Sequence, residues 1–291
     1  MKNGDDQYQL KKEPYVKYRN IGMKFGSTEV LKNINFDIFL GEKVAMIGPS
    51  GSGKTTLARM LMTLEKPTSG TIEISGEQLW HYKVKDKLVE ANEKHLRKVR
   101  GQIGMVFQHY NLFPHMTILR NVMEAQVHVL GLTKSEAEQH AKKMLDKVGL
   151  GHKCNAYPTQ LSGGQQQRAA MARSLVMKPK IMLFDEVTSA LDPELVGEVL
   201  EVIKDIAAEY EMAMLLITHE MAFARDIADR VVFMADGNIV EEGPPEQLFL
   251  HPQHKRTIEF LSRFSSQINS ERAYSYRSLL HSSNQENAQH S

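Results

Sequence analysis

The stretch GPSGSGKT at residues 48–55 constrains the fold of this chain more than any other part of its sequence. It fits the pattern G-x-x-x-x-G-K-[ST], in which small residues let backbone N–H groups turn inward around phosphate oxygens. The apolar run Val44–Ile47 predicts a buried strand before it, and Leu57–Leu64 predicts a helix after it. A strand, a glycine-rich loop and a helix in this order predict a phosphate-binding loop, because a helix N-terminus carries partial positive charge.

The side chains of this loop indicate what it binds. Lys54 would reach the β- and γ-phosphates of a nucleoside triphosphate, and the Thr55 hydroxyl would bind the accompanying magnesium ion. The alternative is a glycine-rich turn that only resembles the motif, and the flanking strand and helix argue against it. The residues that would surround the phosphates are Gly48, Pro49, Ser50, Gly51, Ser52, Gly53 and Lys54.

Length, charge and cysteine content exclude several classes of protein. The 291 residues can form a large core in one or two domains, and 24% charged with 42% hydrophobic residues is ordinary for a soluble globular protein. The net charge of +1 gives no electrostatic reason to expect nucleic acid as a partner. Cys154 is the one cysteine, so an internal disulfide is impossible, which is compatible with a reducing cytoplasm.

The ends and the apolar runs of the sequence bear on its location. Residues 1–14 are polar, lack the apolar segment of a signal peptide and are expected to be frayed. Apolar runs such as Ala213–Ile217 are too short to span a bilayer, so work at a membrane would require a partner that spans it. After about Phe264, residues 265–291 are rich in polar residues and predict a mobile tail, in which 274–280 could form a short helix.

The order of the predicted elements indicates an α/β fold. Residues 15–39 alternate apolar and polar positions, which predicts antiparallel strands with one buried face. The polar segment Gly76–Arg100 predicts a helix with a surface excursion, and residues 109–161 predict a helical subdomain inserted between strands. Within that subdomain, Thr133–Glu136 fits a capping box that opens a helix ending near Gly149.

The second half of the chain predicts a mostly parallel sheet. Strands and a helix alternate there, and together with the first half they form one expected domain over residues 15–264. The predicted segments are a strand at 181–186, a helix that begins after the N-cap Asp192 and Pro193 and ends near Tyr210, a strand at 214–217, and a hairpin at 231–241.

Polar side chains stand at the ends of three predicted strands. Asp185 and Glu186 end a buried strand on the side of a parallel sheet where ligands bind. Asp185 would share magnesium with Thr55, and Glu186 could take the proton from an attacking water. His219 ends the next strand and could reach a γ-phosphate, while Gln108 could orient water or ligate magnesium through its amide oxygen. For Asp185 and Glu186 the alternative is a strand end that faces solvent, and a lone histidine such as His219 is often structural.

The segment Leu161–Gln165 places a serine and two glycines at the start of another predicted helix, which runs through Met177. That N-terminus is a second anion site, and one chain cannot easily direct two such sites at a single γ-phosphate. A head-to-tail pair solves this problem, because Ser162 of one copy can cover the nucleotide of the other in a two-fold dimer. The alternative is an ordinary glycine-rich N-cap.

These motifs, in this order, resemble the ATP-binding-cassette ATPases. The resemblance covers about residues 15–250 and implies a P-loop NTPase with a RecA-like core, an antiparallel β subdomain and an inserted α-helical subdomain. It also implies ATP and Mg²⁺ as cofactors. The segments that carry it are residues 48–55, Gln108, Leu161–Gln165, Asp185–Glu186, Ser189–Asp192 and His219.

The resemblance implies a role for each matching residue. Phe25 would take the adenine-stacking position. The family often has Tyr there, so any contact made by the Tyr hydroxyl is lost. The alternative for the Phe25 ring is packing in the core. The implied phosphate and metal contacts are Lys54 and Thr56 on phosphates, and Thr55 and Asp185 on magnesium. Within the same copy, the resemblance implies Glu186 as general base, Gln108 as sensor of magnesium and the attacking water, and His219 on the γ-phosphate. Across the dimer, it implies that Ser162 and Gly164, with Gly163 and Gln165 in the same segment, cap the γ-phosphate held by the other copy. Asp192 would lie in an inter-subunit loop.

A finer resemblance is to importers of polar amino acids. It rests on Gly104–Gln108 with Asn111–Thr117, on Glu242–Pro245 and on His251–His254, while Trp80–Arg100 is similar to the ATPase subunit of ectoine and hydroxyectoine importers. It implies an ATP-hydrolysing subunit at the cytoplasmic face of the membrane. Its partners would be a second copy, integral membrane permease subunits that dock near residues 108–117 and, indirectly, a solute-binding protein.

Other ATPases with related motifs are the alternatives. A soluble cassette ATPase acting on DNA or ribosomes would carry long coiled coils or two cassettes, and this sequence has neither. An exporter-associated subunit would look the same at the nucleotide site. P-loop kinases and GTPases do not need Leu161–Gln165. The transported solute would be selected by other subunits, so the nucleotide site does not identify it.

Overall fold

A computed structural model describes residues 13–84 and 87–264 of the chain. Most of the predicted N-terminal extension, the tail at 265–291 and the possible helix at 274–280 lie outside these residues.

The described residues form strands and helices that alternate along much of the chain. The strands are β1 (Val16–Phe25), β2 (Thr28–Ile38), β3 (Lys43–Ile47), β4 (Ser69–Ile74), β5 (Glu77–Gln78), β6 (His81–Val84), β7 (Lys87–Glu90), β8 (Ile103–Val106), β9 (Ile181–Asp185), β10 (Ala213–Ile217), β11 (Arg230–Ala235) and β12 (Asn238–Gly243). The helices are α1 (Lys54–Leu61), α2 (Glu93–Arg100), α3 (Ile118–His128), α4 (Lys134–Lys147), α5 (Gly163–Leu175), α6 (Pro193–Glu209), α7 (Met221–Ile227), α8 (Pro245–Leu250) and α9 (Lys255–Leu261).

A six-stranded sheet in the order β12-β11-β3-β10-β9-β8 lies at the centre of the fold. Its neighbours pair in parallel except for β12, which forms the predicted antiparallel hairpin with β11. The strands β9 and β10 are buried along their whole length, as expected for parallel strands covered on both faces. The predicted α/β class is confirmed.

Alternate residues of the central strands enter different cores. Leu215 of β10 packs with α1 and the antiparallel sheet, whereas its neighbour Leu216 packs with α5 and α6 on the other face. The antiparallel sheet has the order β2-β1-β4-β5, and its buried positions alternate along β1 as the sequence predicted. The central sheet is therefore held between a second sheet on one side and helices on the other.

The segment between β4 and β8 differs from its predicted helix. Only Glu93–Arg100 is helical, and the residues before it form the short strand β5 and the hairpin of β6 and β7. Leu79 is fully buried in the core, and Trp80 packs against that core. The predicted helix is present in α2, and the residues before it form a hairpin instead, because alternating apolar and aromatic positions favour strand over helix there.

The helices α3 and α4 pack with α5 around a separate small core. Thr133 caps α4 through the predicted capping box with Glu136, and α4 ends at Lys147. α5 ends at Leu175, two residues before the predicted end. One face of α5 enters this small core and another enters the core of the central sheet, so α5 joins the helical block to the sheet. Within residues 13–84 and 87–264, no helix combines the length and apolar character that crossing a membrane requires.

Candidate nucleotide site

Four segments with polar residues meet at one edge of the central sheet. β3 leads into residues 48–53, β9 ends at Asp185, and β10 is followed by His219. β8, which pairs with β9, is followed by Gln108 after one intervening residue. Because these strands are parallel, their carboxyl ends lie on the same side, where open α/β sheets bind ligands.

Two glycines give the loop its shape. Gly48 has a φ of 143°, and a Cβ there would lie 2.0 Å from the Met234 carbonyl oxygen. Gly53 has a φ of 102°, and a Cβ there would lie 2.4 Å from a methyl group of Leu31. Gly53 is the N-cap of α1, which therefore begins at Lys54 rather than at the predicted Leu57. The loop closes directly onto the helix N-terminus, where free backbone N–H groups favour an anion.

The polar side chains in the loop fit a phosphate group. Lys54 is buried, and its Nζ donates to the carbonyl oxygens of Gly48 and Pro49 at 2.9 Å each. Burial lowers the pKa of Lys54, and the nearby carboxylates of Glu186 and Asp185 oppose that shift. The hydroxyl of Ser52 is buried and has no hydrogen-bond partner among the described residues. An orphaned hydroxyl and a buried cation both favour an anionic acceptor at this point.

Thr55 and Asp185 lie in contact although 130 residues separate them. The Thr55 hydroxyl donates to Asp185 Oδ1 at 2.7 Å. Burial raises the pKa of Asp185 above its ordinary value, and the bond from Thr55 works against that rise. A hydroxyl and a carboxylate oxygen are hard ligands of the kind that Mg²⁺ prefers, and Mg²⁺ needs only one or two of them besides phosphate and water. These two side chains fit a magnesium ion bound together with a nucleotide.

Glu186 and His219 form a second pair beside it. His219 Nε2 lies 3.2 Å from Glu186 Oε1, and because a carboxylate only accepts, Nε2 carries the proton in this contact. This hydrogen bond lowers the pKa of Glu186, so Glu186 is ionised at neutral pH and can accept a proton. The surroundings thus raise the pKa of Asp185 and lower the pKa of its neighbour Glu186.

The backbone of Glu186 adopts a conformation that side-chain-bearing residues rarely take. Its φ is 48°, in the left-handed region. The Glu186 N–H donates to the carbonyl of Ile217 at 2.9 Å, and the Ser189 hydroxyl donates to the carbonyl of Glu186 at 2.7 Å. These bonds hold the strained residue and aim its side chain at His219. Nothing in the sequence indicated this conformation, although Ser189 lies in the segment Ser189–Asp192 that carries the resemblance.

A cavity of about 400 Å³ lies over the loop. Phe25 lines it with 47% of its surface exposed, which favours a plate for a planar group over the alternative of core packing. The cavity is lined by Phe25, Val30, Ser50, Gly51, Ser52, Gly53, Lys54, Thr55, Thr56 and Glu186. Val30 was not predicted, and an isolated valine in a strand carries no signal for such a role. Gln108 is half-buried at the end of its strand.

The segment Leu161–Gln165 does not contribute to the described lining of this cavity. Ser162 is exposed and forms a capping box with Gln165 at the start of α5. A Cβ at Gly163 would lie 2.7 Å from the Tyr110 hydroxyl, so a larger residue would disturb the helix start. Asp192 is exposed at the start of α6, and its side chain makes none of the capping bonds that the sequence predicted. Ser162 and Asp192, at the starts of α5 and α6, are therefore exposed to contact with another molecule.

Comparison with known proteins finds a matching family model, close relatives and similar solved structures. Residues 31–189 match the family model described as ABC transporter. The chain is 55% identical over 246 residues to the probable amino-acid ABC transporter ATP-binding protein y4tH of Sinorhizobium fredii, covering 84% of this chain and 96% of that one. It is 52% identical over 238 residues to the arginine transport ATP-binding protein ArgV of Corynebacterium glutamicum, covering 82% and 93%. Among solved structures, the dimeric post-hydrolysis state of the ATP-binding cassette MJ0796, bound to ADP and Pi, matches with a TM-score of 0.68 and 33% identity, covering 79% of this chain and 98% of that one.

Proposed function

Because this chain belongs to the ABC transporter family, whose cassettes are ATPases coupled to transport, we propose that it is the ATP-hydrolysing subunit of an importer of a polar amino acid. The contacts of Thr55 with Asp185 and of Glu186 with His219, beside one phosphate loop, carry the proposal. They supply, at a single sheet edge, a candidate metal site and a candidate base for a water molecule.

The chemistry assigned to these residues follows from their surroundings. Thr55 and Asp185 would hold Mg²⁺, which when bound neutralises charge on the phosphates. Lys54 would transfer its hydrogen bonds from the loop carbonyls to the phosphate oxygens, which are stronger acceptors. Glu186 would accept a proton from water. The His219 Nε2–H, which donates to Glu186 here, would move to the γ-phosphate when a nucleotide is bound. Gln108 would position the water, and Phe25 would stack on adenine.

The site requires a second copy of the chain in this proposal. The helix start at Ser162, Gly163 and Gly164 does not line the cavity of its own chain, and Ser162 is its exposed residue while Gly164 is buried. A helix N-terminus leaves backbone N–H groups without an intrahelical partner. In a head-to-tail dimer they would cap the γ-phosphate held by the partner, and Asp192 would lie in the contact between the copies. The solved MJ0796 cassette is described as dimeric, which supports this arrangement.

The substrate class comes from the relatives rather than from the site. Relatives named for transport of arginine and glutamine are 52% and 51% identical to this chain, each over more than 80% of it. An ectoine-type solute is the finer possibility that the segment Trp80–Arg100 raises. The chain would act at the cytoplasmic face of the membrane, bound to permease subunits that receive solute from a binding protein.

Uptake by cells with and without this chain tests the proposal. Cells would be given labelled glutamine, arginine, histidine, glutamate and ectoine in parallel. We expect uptake of at least one of them to require the wild-type chain, and a Glu186→Gln chain, matched in size, to fail to restore it. Unchanged uptake of every compound in cells that lack the chain would contradict the proposal.

A further inference from the structure

A second cavity, of about 240 Å³, lies where β4 and β5 of the antiparallel sheet meet the start of the hairpin of β6 and β7. The residues that line it include Lys66, Thr68, Gln78, Trp80 and His81, and none of its described lining residues lines the nucleotide cavity. Pockets for drug-sized ligands measure about 300 to 1,000 Å³, so this one suits a smaller molecule. It is a candidate site separate from the one that would hold the nucleotide.

Two side chains in the lining of this cavity carry buried polar atoms without a partner. Within the described residues, neither Gln78 Oε1 nor Trp80 Nε1 forms a hydrogen bond. The backbone carbonyls of the same two residues are satisfied, because Gln78 accepts from His95 Nε2 at 2.7 Å and Trp80 accepts from the Ala91 N–H at 2.9 Å. Buried polar groups are nearly always paired in folded proteins, so an unpaired acceptor and an unpaired donor in one lining favour a ligand that supplies both partners.

Charges of opposite sign stand on the two sides of Gln78. The 240 Å³ cavity has Lys66 and no Asp or Glu in its described lining. A neighbouring cavity of about 570 Å³ has Glu73 and Glu77 and no Lys or Arg in its described lining, although both acids also pair with lysines outside it. Gln78 and His81 line both cavities and so form the wall between them. A molecule with a negative and a positive end would match this arrangement.

We propose that the 240 Å³ cavity binds a free α-amino acid and that its occupancy affects the nucleotide site. The carboxylate of the amino acid would accept from the Trp80 N–H and from Lys66, and its ammonium group would donate to Gln78 Oε1. Lys66 can take part because its present partner, Glu90, is an exposed carboxylate, and exposed ion pairs contribute little to stability. The choice of an amino acid among small zwitterions rests on the proposed function, which makes such a solute the cargo of the transporter.

The cavity is connected to the nucleotide site through the end of β1. Thr68, in the cavity wall, donates its N–H to the carbonyl of Gly22 at 2.9 Å, and its hydroxyl accepts from the Lys24 N–H at 3.0 Å. Lys24 directly precedes Phe25, whose ring lines the nucleotide cavity. An amino acid that fixes the position of Thr68 would therefore bias the position of the Phe25 ring, and this couples amino-acid binding to ATP binding.

The fluorescence of Trp80, the one tryptophan of the chain, reports on the cavity directly. Glutamine, arginine, histidine and glutamate would each be titrated into the purified full-length chain without nucleotide, and calorimetry would give the dissociation constants. We expect at least one of them to change the Trp80 emission saturably. N-acetylglutamine, which lacks the ammonium group, should have no effect. A cavity that holds water only, with no saturable change for any amino acid, would overturn the inference.

Variants of Gln78 separate recognition from folding. None of the described hydrogen bonds uses the Gln78 side chain, so Gln78→Met should fold, and binding should weaken about tenfold because the acceptor for a charged donor is lost. Gln78→Glu keeps an acceptor of the same size and should retain binding. Gln139→Met, at an exposed position of α4, is the matched control and should bind as wild type does.

A structural role for Gln78 alone gives a different result. Wild-type affinity in Gln78→Met, or an equal loss in Gln78→Met and Gln78→Glu, would overturn the inference. If Gln78→Met does not fold, Trp80→Phe replaces it, because this change removes the N–H donor and keeps an aromatic ring. Calorimetry is then the readout, and wild-type affinity in Trp80→Phe would likewise overturn the inference.

The coupling to the nucleotide site is measured through the KM for ATP. With a saturating concentration of the amino acid that binds, we expect this KM to change about fivefold in wild type and in Gln139→Met, and to stay constant in Gln78→Met. An unchanged KM in wild type would overturn the coupling. Binding to the purified chain does not depend on membrane subunits. A chain that binds an amino acid in this cavity but supports no uptake would therefore contradict the proposed function and support this inference.

Discussion

Glu186, the proposed general base, has surroundings that suit that role. It accepts a hydrogen bond from His219, its pKa is lowered by that bond, and its backbone is held in the left-handed region. A carboxylate that is already ionised and fixed in direction can accept a proton from water without first losing one. Burial raises the pKa of its neighbour Asp185, and a cation bound beside Asp185 would favour the ionised carboxylate and so oppose that rise.

Replacing Glu186 by Gln separates proton transfer from binding. The amide keeps the size of the side chain but cannot accept a proton from water, so we expect phosphate release to fall by about 10²- to 10⁴-fold. ATP affinity should change little, because Lys54 and Thr55 are untouched. Phosphate release and equilibrium nucleotide binding would be measured on the same preparation. Glu211→Gln, at an exposed position outside the cavity lining, is the control, and near-normal turnover in Glu186→Gln would exclude this residue as the base.

Ser189 is expected to act on Glu186 through its backbone. Its hydroxyl bond to the Glu186 carbonyl is worth about 1 kcal/mol, so Ser189→Ala should lower kcat about fivefold with the nucleotide KM unchanged. Ser262 makes the same kind of bond to the carbonyl of Glu259, far along the chain, and provides a matched control in Ser262→Ala. Equal effects of the two substitutions on kcat would indicate general destabilisation rather than positioning of Glu186.

At the scale of elements, α4 depends on its first turn. The Thr133 hydroxyl accepts from the Glu136 N–H, while the Glu136 carboxylate accepts from the Thr133 N–H and hydroxyl. Thr133→Ala removes the hydroxyl and should lower the free energy of unfolding of the helical block by about 1 kcal/mol. Chemical denaturation followed by circular dichroism measures this change. Ser135 is exposed in the same first turn, two residues after Thr133, and Ser135→Ala should change the free energy of unfolding less.

The difference in the free energy of unfolding between wild type and Thr133→Ala should depend on pH. The bonds from Thr133 lower the pKa of Glu136 from its ordinary 4.5, so the stability they add is present above that value. It is lost as pH falls through the lowered pKa of the folded state. The gap between wild type and Thr133→Ala should therefore narrow in acid, and a gap that widens there would contradict the capping assignment.

Local chemistry explains which elements could be predicted from sequence. The capping box at Thr133 and the apolar strand before Asp185 depend on residues close together in the chain, and both are present in the structure. The contact between Thr55 and Asp185 could be expected because parallel strands end at one edge. The hairpin before α2 was not predicted, because the many charged residues of the segment obscured the alternating apolar and aromatic positions that favour strand.

At the scale of the whole molecule, the proposed dimer would bring the cavity over the phosphate loop to the exposed start of α5 in the other copy. The cavity is lined by residues 50–56 together with Phe25, Val30 and Glu186, whereas Ser162 is exposed at the start of α5. The γ-phosphate would bring these surfaces together between two copies, so dimerisation should require ATP and weaken once it is hydrolysed. A Glu186→Gln chain, which binds but does not hydrolyse, is the suitable background in which to observe the dimer.

Ser162→Arg in that background should leave ATP binding by the monomer intact and prevent the dimer. The long cation replaces a small cap residue whose helix start must approach a phosphate held by the other copy, and its bulk would stand in the contact. Light scattering after size-exclusion chromatography, with and without ATP, measures the mass directly. Ser135→Arg places the same side chain at another exposed helix start, in α4, and should still dimerise. Because Ser162 is exposed and lies outside the cavity of its own chain, a normal ATP-dependent dimer of Ser162→Arg would mean that the partner's phosphate is held by other residues.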